Sequence, residues 1–382
     1  MSAATRDGAR LLVANLEAQG VEYVFGIPGA KIDPVFNALV DSKIKTVVCR
    51  HEQNATFIAG GLGRITGKAG VVLVTSGPGC SNLVTGLATA NTEGDPIVAL
   101  GGSVPVAERL KQTHQSMDTV AMMRPVTKYT AEIDSPEAIS EAMASAFRAA
   151  EGGRPGAAFL SLPKDVMKAP APGLVLAPAR PPLCGPADAG AIAEAARLIN
   201  AAERPVVLLG MLASQPAATA AVRGLLDRAR LAVTGTYQAA GIVPRTHLDC
   251  FGGRVGLFHN QPADRLLDGA DLVLTIGFDP VEYDPALWNA GRDRKLIHLD
   301  CIPADPDRNY RPTLELQGDV AATLGALAPL LTARAKPVQA DLLAEIAADR
   351  QRVAAEGATR TGMPVHPLRL LQVLQVHVDQ DT

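Results

Sequence analysis

Short β-branched runs alternate with longer segments of helical apolar spacing through the first 165 residues, and this alternation limits the fold more than any other feature. The runs are EYVFG (22–26), IKTVVC (44–49), GVVLVT (70–75), PIVALGG (96–102) and GAAFLSLP (156–163). Between them, 32–42, 53–67 and 81–92 carry apolar residues at intervals of three and four, as helices do. Most of these strands are apolar along nearly their whole length, so they are expected to be covered on both faces. The reading is an α/β domain, a doubly wound parallel sheet with helices on either side. Composition agrees: hydrophobic residues make up 47% and aromatics only 4%, so aliphatic side chains carry the burial.

The stretch 170–186, PAPGLVLAPARPPLCGP, holds six prolines, which neither a helix nor a central strand tolerates. It reads as a semi-rigid extended linker. A second βα pattern follows, with helices at 191–202, 217–230 and 321–331 and strands at 205–210, 231–236, 271–277 and 295–300. The expected organisation is a first domain over 1–168, a linker over 169–187, and a second doubly wound domain over 188–336. A last segment, 337–382, contains helical patterns at 342–356 and 368–378. The second of these places Leu370, Leu371, Leu374 and Val378 on one face, which calls for a partner or marks a capping helix.

With 36 Lys and Arg against 39 Asp and Glu, the net charge is −3, and no long basic run is present. Nucleic acid and acidic membrane are therefore not expected partners. The N-terminal apolar stretch is broken by Asn15 and Glu17, too early for a signal segment, and no apolar run approaches the roughly 20 residues of a membrane span. Cys49, Cys80, Cys184, Cys250 and Cys301 are scattered, without a C-x-x-C pair. A soluble cytoplasmic protein with free thiols and no structural zinc is expected.

Three strand-to-helix turns stand out, because ligands of open α/β sheets gather beyond the carboxyl ends of strands. Glu52, in RHEQN after the second strand, is placed there, although a carboxylate in a first helical turn also complements the helix dipole. Thr75 to Asn82 (TSGPGCSN) and Phe25 to Lys31 (FGIPGAK) place glycines where the backbone must turn tightly or approach a ligand. Together the three make a ligand crevice the favoured reading. His114 to Asp118 (HQSMD) follows the fourth strand and reads as a polar loop on its own. No metalloprotease, nucleophile-elbow or Walker motif occurs, and Gly252 to Gly256 lacks the strand context of a dinucleotide fingerprint.

In their order and spacing, VFGIPGAKID, RHEQNA, LVTSGPGCSNLVTGLATANTEGDPIVALGG and HQSMDTV resemble the pyrimidine-binding domain of the thiamine-diphosphate enzymes. TYQAAG (236–241), GRVGLF (253–258) and DPVEYDPALWN (279–289) extend the resemblance across the second domain, which looks like the family's central domain. The match is nearest to the catabolic, flavin-independent acetolactate synthases. The resemblance implies decarboxylation of pyruvate on thiamine diphosphate and transfer of the acetaldehyde unit to a second pyruvate, giving 2-acetolactate and CO2. The alternatives are another thiamine-diphosphate carboligase or decarboxylase, such as an anabolic acetohydroxyacid synthase, or a two-domain assembly module without catalysis.

The resemblance also assigns roles. Glu52 would hydrogen-bond the aminopyrimidine ring and tune the cofactor. Gly77, Pro78, Gly79 and Asn82 would pack near that ring, and Gly26, Pro28 and Gly29 would belong to the loop roofing the pocket. Lys31 and Gln115 would face substrate. Gln115 stands where decarboxylating relatives carry the second residue of a His-His pair, a departure that favours carboligation. The family holds the diphosphate through Mg2+ on a Gly-Asp-Gly motif in a third domain. This chain has only Gly94-Asp95-Pro96 and Gly318-Asp319-Val320, neither in that context, so no metal ligand is expected here. The expectation is a synthase chain whose 337–382 segment begins that third domain, which is otherwise missing, and which is inactive alone. A homodimer or homotetramer at full length is implied, and no FAD.

Overall fold

The computed structural model describes residues 6–182 and 184–378, which fall into two compact units, one up to residue 183 and one from 184 onward. The division lies inside the proline-rich stretch.

The first unit contains β1 (Tyr23–Ile27), β2 (Lys45–Val48), β3 (Gly70–Val74), β4 (Ile97–Ser103), β5 (Tyr129–Glu132) and β6 (Ala157–Pro163). All pair in parallel, in the order β2-β1-β3-β4-β6-β5. Successive side chains of a strand point to opposite faces, and here each face has its own apolar layer. Val71, Leu73, Val98, Leu100, Ala158 and Leu160 pack with the helices Gly8–Ala18, Asp33–Val40 and Ile139–Glu151. Val72, Val74, Ile97, Ala99 and Phe159 pack on the other face, with Ala55 and Ala59 of the helix Glu52–Thr66 and Leu87 of the helix Val84–Glu93. The doubly wound sheet expected from the apolar runs is thus present. The consequence for function is topological: β1 leads to a helix on one face and β3 to a helix on the other, so their carboxyl ends flank the switch point where such sheets open a crevice.

The second unit is built the same way from β7 (Pro205–Leu209), β8 (Ala232–Gly235), β9 (Phe251–Arg254), β10 (Leu272–Ile276), β11 (Lys295–Asp300) and β12 (Leu314–Gln317). Its order is β12-β11-β10-β7-β8-β9, again all parallel. One face is covered by the helices Ala189–Ala201, Pro216–Ala229 and Val320–Leu327. The other carries the aromatic group Phe278, Tyr283, Trp288 and Tyr310. Tyr310 is fully buried yet satisfied, since its hydroxyl lies 2.8 Å from Thr275 Oγ1 and 2.9 Å from His298 Nδ1.

Three strands, β5, β9 and β12, are additions to the sequence reading. In the 337–382 segment, the helix Ala340–Thr359 packs Leu343 and Ile346 into the same aromatic layer, and Arg350 donates to the Phe251 carbonyl at 2.7 Å. The helix Pro367–His377 has no buried residue. Leu370, Leu371 and Leu374 are exposed on it, as the sequence face suggested. Residues 379–382 lie outside the described residues.

Candidate active site

Because β2, β1 and β3 are neighbours, the segments leaving their carboxyl ends converge. Glu52 opens the helix Glu52–Thr66, with His51 as its cap: His51 Nδ1 accepts from the Gln53 amide at 3.1 Å. One carboxylate oxygen of Glu52, Oε2, accepts from Asn82 Nδ2 at 2.9 Å. The other, Oε1, receives no donor from the described residues. Glu52 and Asn82 are thirty positions apart in sequence and are joined only by the fold.

The turn after β3 that carries Asn82 needs its glycines. Gly77 has φ 60° and ψ −115°, a conformation open to glycine almost alone. A Cβ on Gly79 would lie 3.0 Å from Thr75 Cγ2 and 3.6 Å from Glu52 Oε1, so a side chain there would intrude on the carboxylate. Beneath the turn, Cys80 is fully buried, and its thiol donates to the Thr75 carbonyl at 3.2 Å. Burial, reinforced by the Glu52 charge, pushes that thiol up to about 12, so it stays protonated and serves as packing.

The loop after β1 closes the opposite side. Gly29 lies against Thr75, where a Cβ would come within 2.6 Å of the threonine Cβ. Pro28 is exposed and Lys31 half-buried; neither makes a side-chain hydrogen bond or ion pair among the described residues. Lys164 ties the loop down, donating to the Ala30 carbonyl at 2.5 Å and pairing with Asp33 at 3.1 Å. Gly26 is different in kind: it lies within β1, buried, where a Cβ would overlap the Leu73 carbonyl oxygen at 1.8 Å. Its position sets the close approach of β1 to β3 below the crevice.

The HQSM loop reaches the same turn. Gln115, at φ 64°, lies over Gly77, whose added Cβ would be 3.0 Å from the Gln115 Cα, and Gln115 Oε1 accepts from Ser76 Oγ at 3.3 Å. His114 is exposed. The structure therefore brings Glu52, Asn82, Gly77, Gly79, Gly29 and Gln115 to one mouth. The sequence reading did not single out Thr75, which touches both glycine loops and whose Oγ1 is buried without a hydrogen-bond partner. No spacing signal marks it, because its contact with Gly29 joins the loop after β1 to the end of β3, forty-six positions apart in sequence. Among the described residues no group of three or more His, Cys, Asp or Glu could hold a metal ion.

Comparison with known proteins gives this geometry its context. Residues 6–122 match the thiamine pyrophosphate enzyme N-terminal TPP binding domain, and residues 192–327 match the thiamine pyrophosphate enzyme central domain. The chain is 51% identical over 376 residues to the catabolic acetolactate synthase of Raoultella terrigena, covering 98% of this chain and 67% of that protein. The chain belongs to the acetolactate synthase family of thiamine pyrophosphate enzymes. It is also 54% identical over 317 residues to the acetolactate synthase of Bacillus subtilis, covering 83% of this chain and 56% of the relative. The acetolactate synthase isozyme 1 large subunit of Escherichia coli follows at 35% over 350 residues, 60% of its length. The chain thus spans between half and two thirds of the curated relatives it matches.

For an acetolactate synthase family member, the mouth fits one end of the family's cofactor. Its features are an open carboxylate oxygen, a neighbouring amide that fixes the carboxylate, glycines that keep Cβ atoms out, and an orphaned buried hydroxyl. A flat heteroaromatic ring with nitrogen at its edge satisfies that set.

Proposed function

We propose that the protein acts as an acetolactate synthase, decarboxylating pyruvate and joining the two-carbon unit to a second pyruvate to give 2-acetolactate and CO2. Thiamine diphosphate, held with Mg2+, would supply the carbon centre that adds to the keto group and accepts the electron pair left by CO2. Flavin has no part in this reading. The observation that carries it is Glu52 at the β1/β3 mouth, with one oxygen fixed by Asn82 and the other open.

From that arrangement each residue takes a task. Glu52 Oε1 hydrogen-bonds a ring nitrogen of the pyrimidine and holds the proton there, and Asn82 keeps the carboxylate turned toward it. Gly77, Pro78 and Gly79 give the ring a backbone surface without side chains, while Pro28 and Gly29 cover it and Gly26 keeps the strands beneath close. Gln115 keeps its amide N–H groups free, since Ser76 engages only its oxygen, and donates to the pyruvate carboxylate. Lys31 supplies the positive charge that draws that anion in.

A second copy of the chain is part of the proposal. The helix that begins with Glu52 exposes Phe57, Ile58 and Ile65 along one side, and edge strand β2 exposes Val48. Exposed apolar surface of this kind marks an association face, and a homodimer covers it within reach of Glu52. No described helix is long and apolar enough to cross a membrane, and a cytoplasmic location is proposed with the activity.

The test is acetolactate formation from pyruvate with thiamine diphosphate and Mg2+. It is to be measured on the 382-residue chain and on a chimera that continues it with the remaining third of the Raoultella terrigena relative. Glu52→Gln should lower turnover by about 100-fold or more, the scale of lost acid–base assistance. Unchanged turnover in that variant would sink the assignment, and preference for 2-ketobutyrate as acceptor would redirect it to acetohydroxybutyrate synthesis.

A further inference from the structure

Gln115 reaches the mouth from a long loop. Between the end of β4 at Ser103 and the helix that starts at Thr119, the only regular piece is the short turn Val106–Glu108. Leu110, Lys111, Gln112 and His114 are all exposed. Gln115 nonetheless holds φ 64°, a left-handed conformation that a residue with a Cβ keeps only where its surroundings impose it. The loop must therefore be fixed by more than its own turns.

It is tied down at its start, middle and end. At the start, the Val106 amide donates to both carboxylate oxygens of Asp165, after β6, at 3.2 and 3.1 Å. At the end, Gln115 accepts from Ser76 over the turn after β3. In the middle, the Arg109 guanidinium pairs with Glu132 Oε1. Glu132 is the last residue of edge strand β5 and stands opposite Ser161 of β6, which is fully buried and donates from Oγ to Glu132 Oε2 at 2.9 Å. The carboxylate is thus oriented by the sheet before Arg109 meets it, a favourable setting for a charge-assisted bond.

The sheet order sets the span. From β5 through β6 and β4 to β3 is three strand spacings, about 14 Å, and the chain between Arg109 and Gln115 must bridge them. Residues 110–115 reach about 20 Å fully extended, so little slack remains while both ends are held. Release of Arg109 moves the nearest fixed point back to Val106, and the reach grows to about 30 Å. We infer that Arg109 is a positioning residue for Gln115: its bond to Glu132 pins the middle of the loop to β5 and holds the Gln115 amide at the mouth. The consequence for the reaction rests on the reading that Gln115 meets pyruvate, whereas the hold on the loop does not. A partly exposed ion pair adds little to overall stability, yet it biases a loop by about fivefold in population.

Millisecond hydrogen exchange on the 382-residue chain reads the hold directly, through peptides containing Thr113 and Ser116, whose amides bond within the loop. Exchange there should quicken by about threefold to fivefold in Arg109→Ala and in Glu132→Gln. Arg109→Lys should recover most of the protection, and all three variants should melt close to the wild type. Unchanged exchange in Arg109→Ala overturns the inference. Turnover is then measured in the chimera with the remaining third of the Raoultella terrigena relative. Arg109→Ala should raise the KM for pyruvate about fivefold with little change in kcat, and Arg109→Lys should restore it. On a Gln115→Ala background, Arg109→Ala should raise it no further. A further rise there would show that Arg109 acts apart from Gln115, and a lowered melting temperature with unchanged KM would show that the pair serves only the fold; either overturns the inference. Should Gln115→Ala itself leave KM unchanged, the substrate reading of Gln115 falls, and exchange alone decides whether Arg109 positions it.

Discussion

At the residue scale, the site depends on how one carboxylate is held. Glu52 could be picked from the sequence because it follows a strand and opens a helix, but its partner could not. Asn82 is named by the turn it belongs to, whereas its bond to Glu52 exists only because β3 lies beside β1, which lies beside β2. The same holds for Thr75 and for the contact of Gln115 with Gly77: each joins loops whose separation in sequence hides their closeness. The Asn82 bond has a measurable worth. A hydrogen bond to a charged group contributes about 1.5–3 kcal/mol, so Asn82→Ala should lower turnover by roughly 10- to 100-fold if the carboxylate orientation matters. Glu52 and Asn82 act as one unit, so the double variant Glu52→Gln/Asn82→Ala should be little worse than Glu52→Gln alone. Additive losses in that double-mutant cycle would show that Asn82 works independently of Glu52.

At the scale of elements, the reading from sequence found every central strand and, of the four edge strands, only β2, whose β-branched run Thr46-Val47-Val48 gives it away although all four of its residues are exposed. β3, β4, β6, β7 and β10 are buried along their whole length, which is why their apolar runs announce them. β5, β9 and β12 went unread, and all three are edge strands of four residues with at most one residue buried. An edge strand meets one neighbour only and needs no continuous apolar run, so the sequence carries little record of it. The glycines with positive φ also divide into two kinds. Gly67 caps the helix Glu52–Thr66 at φ 68° and ψ 8° with open space around it. Gly67→Ala should cost about 1–2 kcal/mol, the penalty of a left-handed residue, and leave activity intact. Gly77 combines a more restricted conformation with the Gln115 backbone 3.0 Å from where a Cβ would stand. Gly77→Ala should cost about 1–3 kcal/mol and also displace Gln115, so that chemical denaturation and turnover both suffer. Equal turnover in the two variants would mean that the HQSM loop is not positioned by the turn.

At the scale of the whole molecule, each unit was legible as an α/β domain, and the proline-rich stretch marked where the units divide. What the sequence did not reveal is that the helix carrying Glu52 also bears an unsatisfied surface. Phe57, Ile58 and Ile65 are 44%, 45% and 77% exposed, on the side of the helix away from Ala55 and Ala59, which pack inward. From periodicity alone such a helix looks apolar nearly all round, and a buried helix would look the same. The exposed side argues for a partner, since a specific interface covers about 800 Å² on each subunit and takes its energy from a few large apolar anchors. Because these side chains contribute little to the core of their own unit, Phe57→Asp with Ile58→Asp should leave circular dichroism and the melting profile of the dissociated chain close to native. Sedimentation should show the oligomer lost. Turnover should fall with it, since the same helix positions Glu52 at its first residue and the association face begins one and a half turns further on. An oligomer that persists with both aspartates in place would put the interface elsewhere, and would separate the Glu52 mouth from any contribution of a second chain.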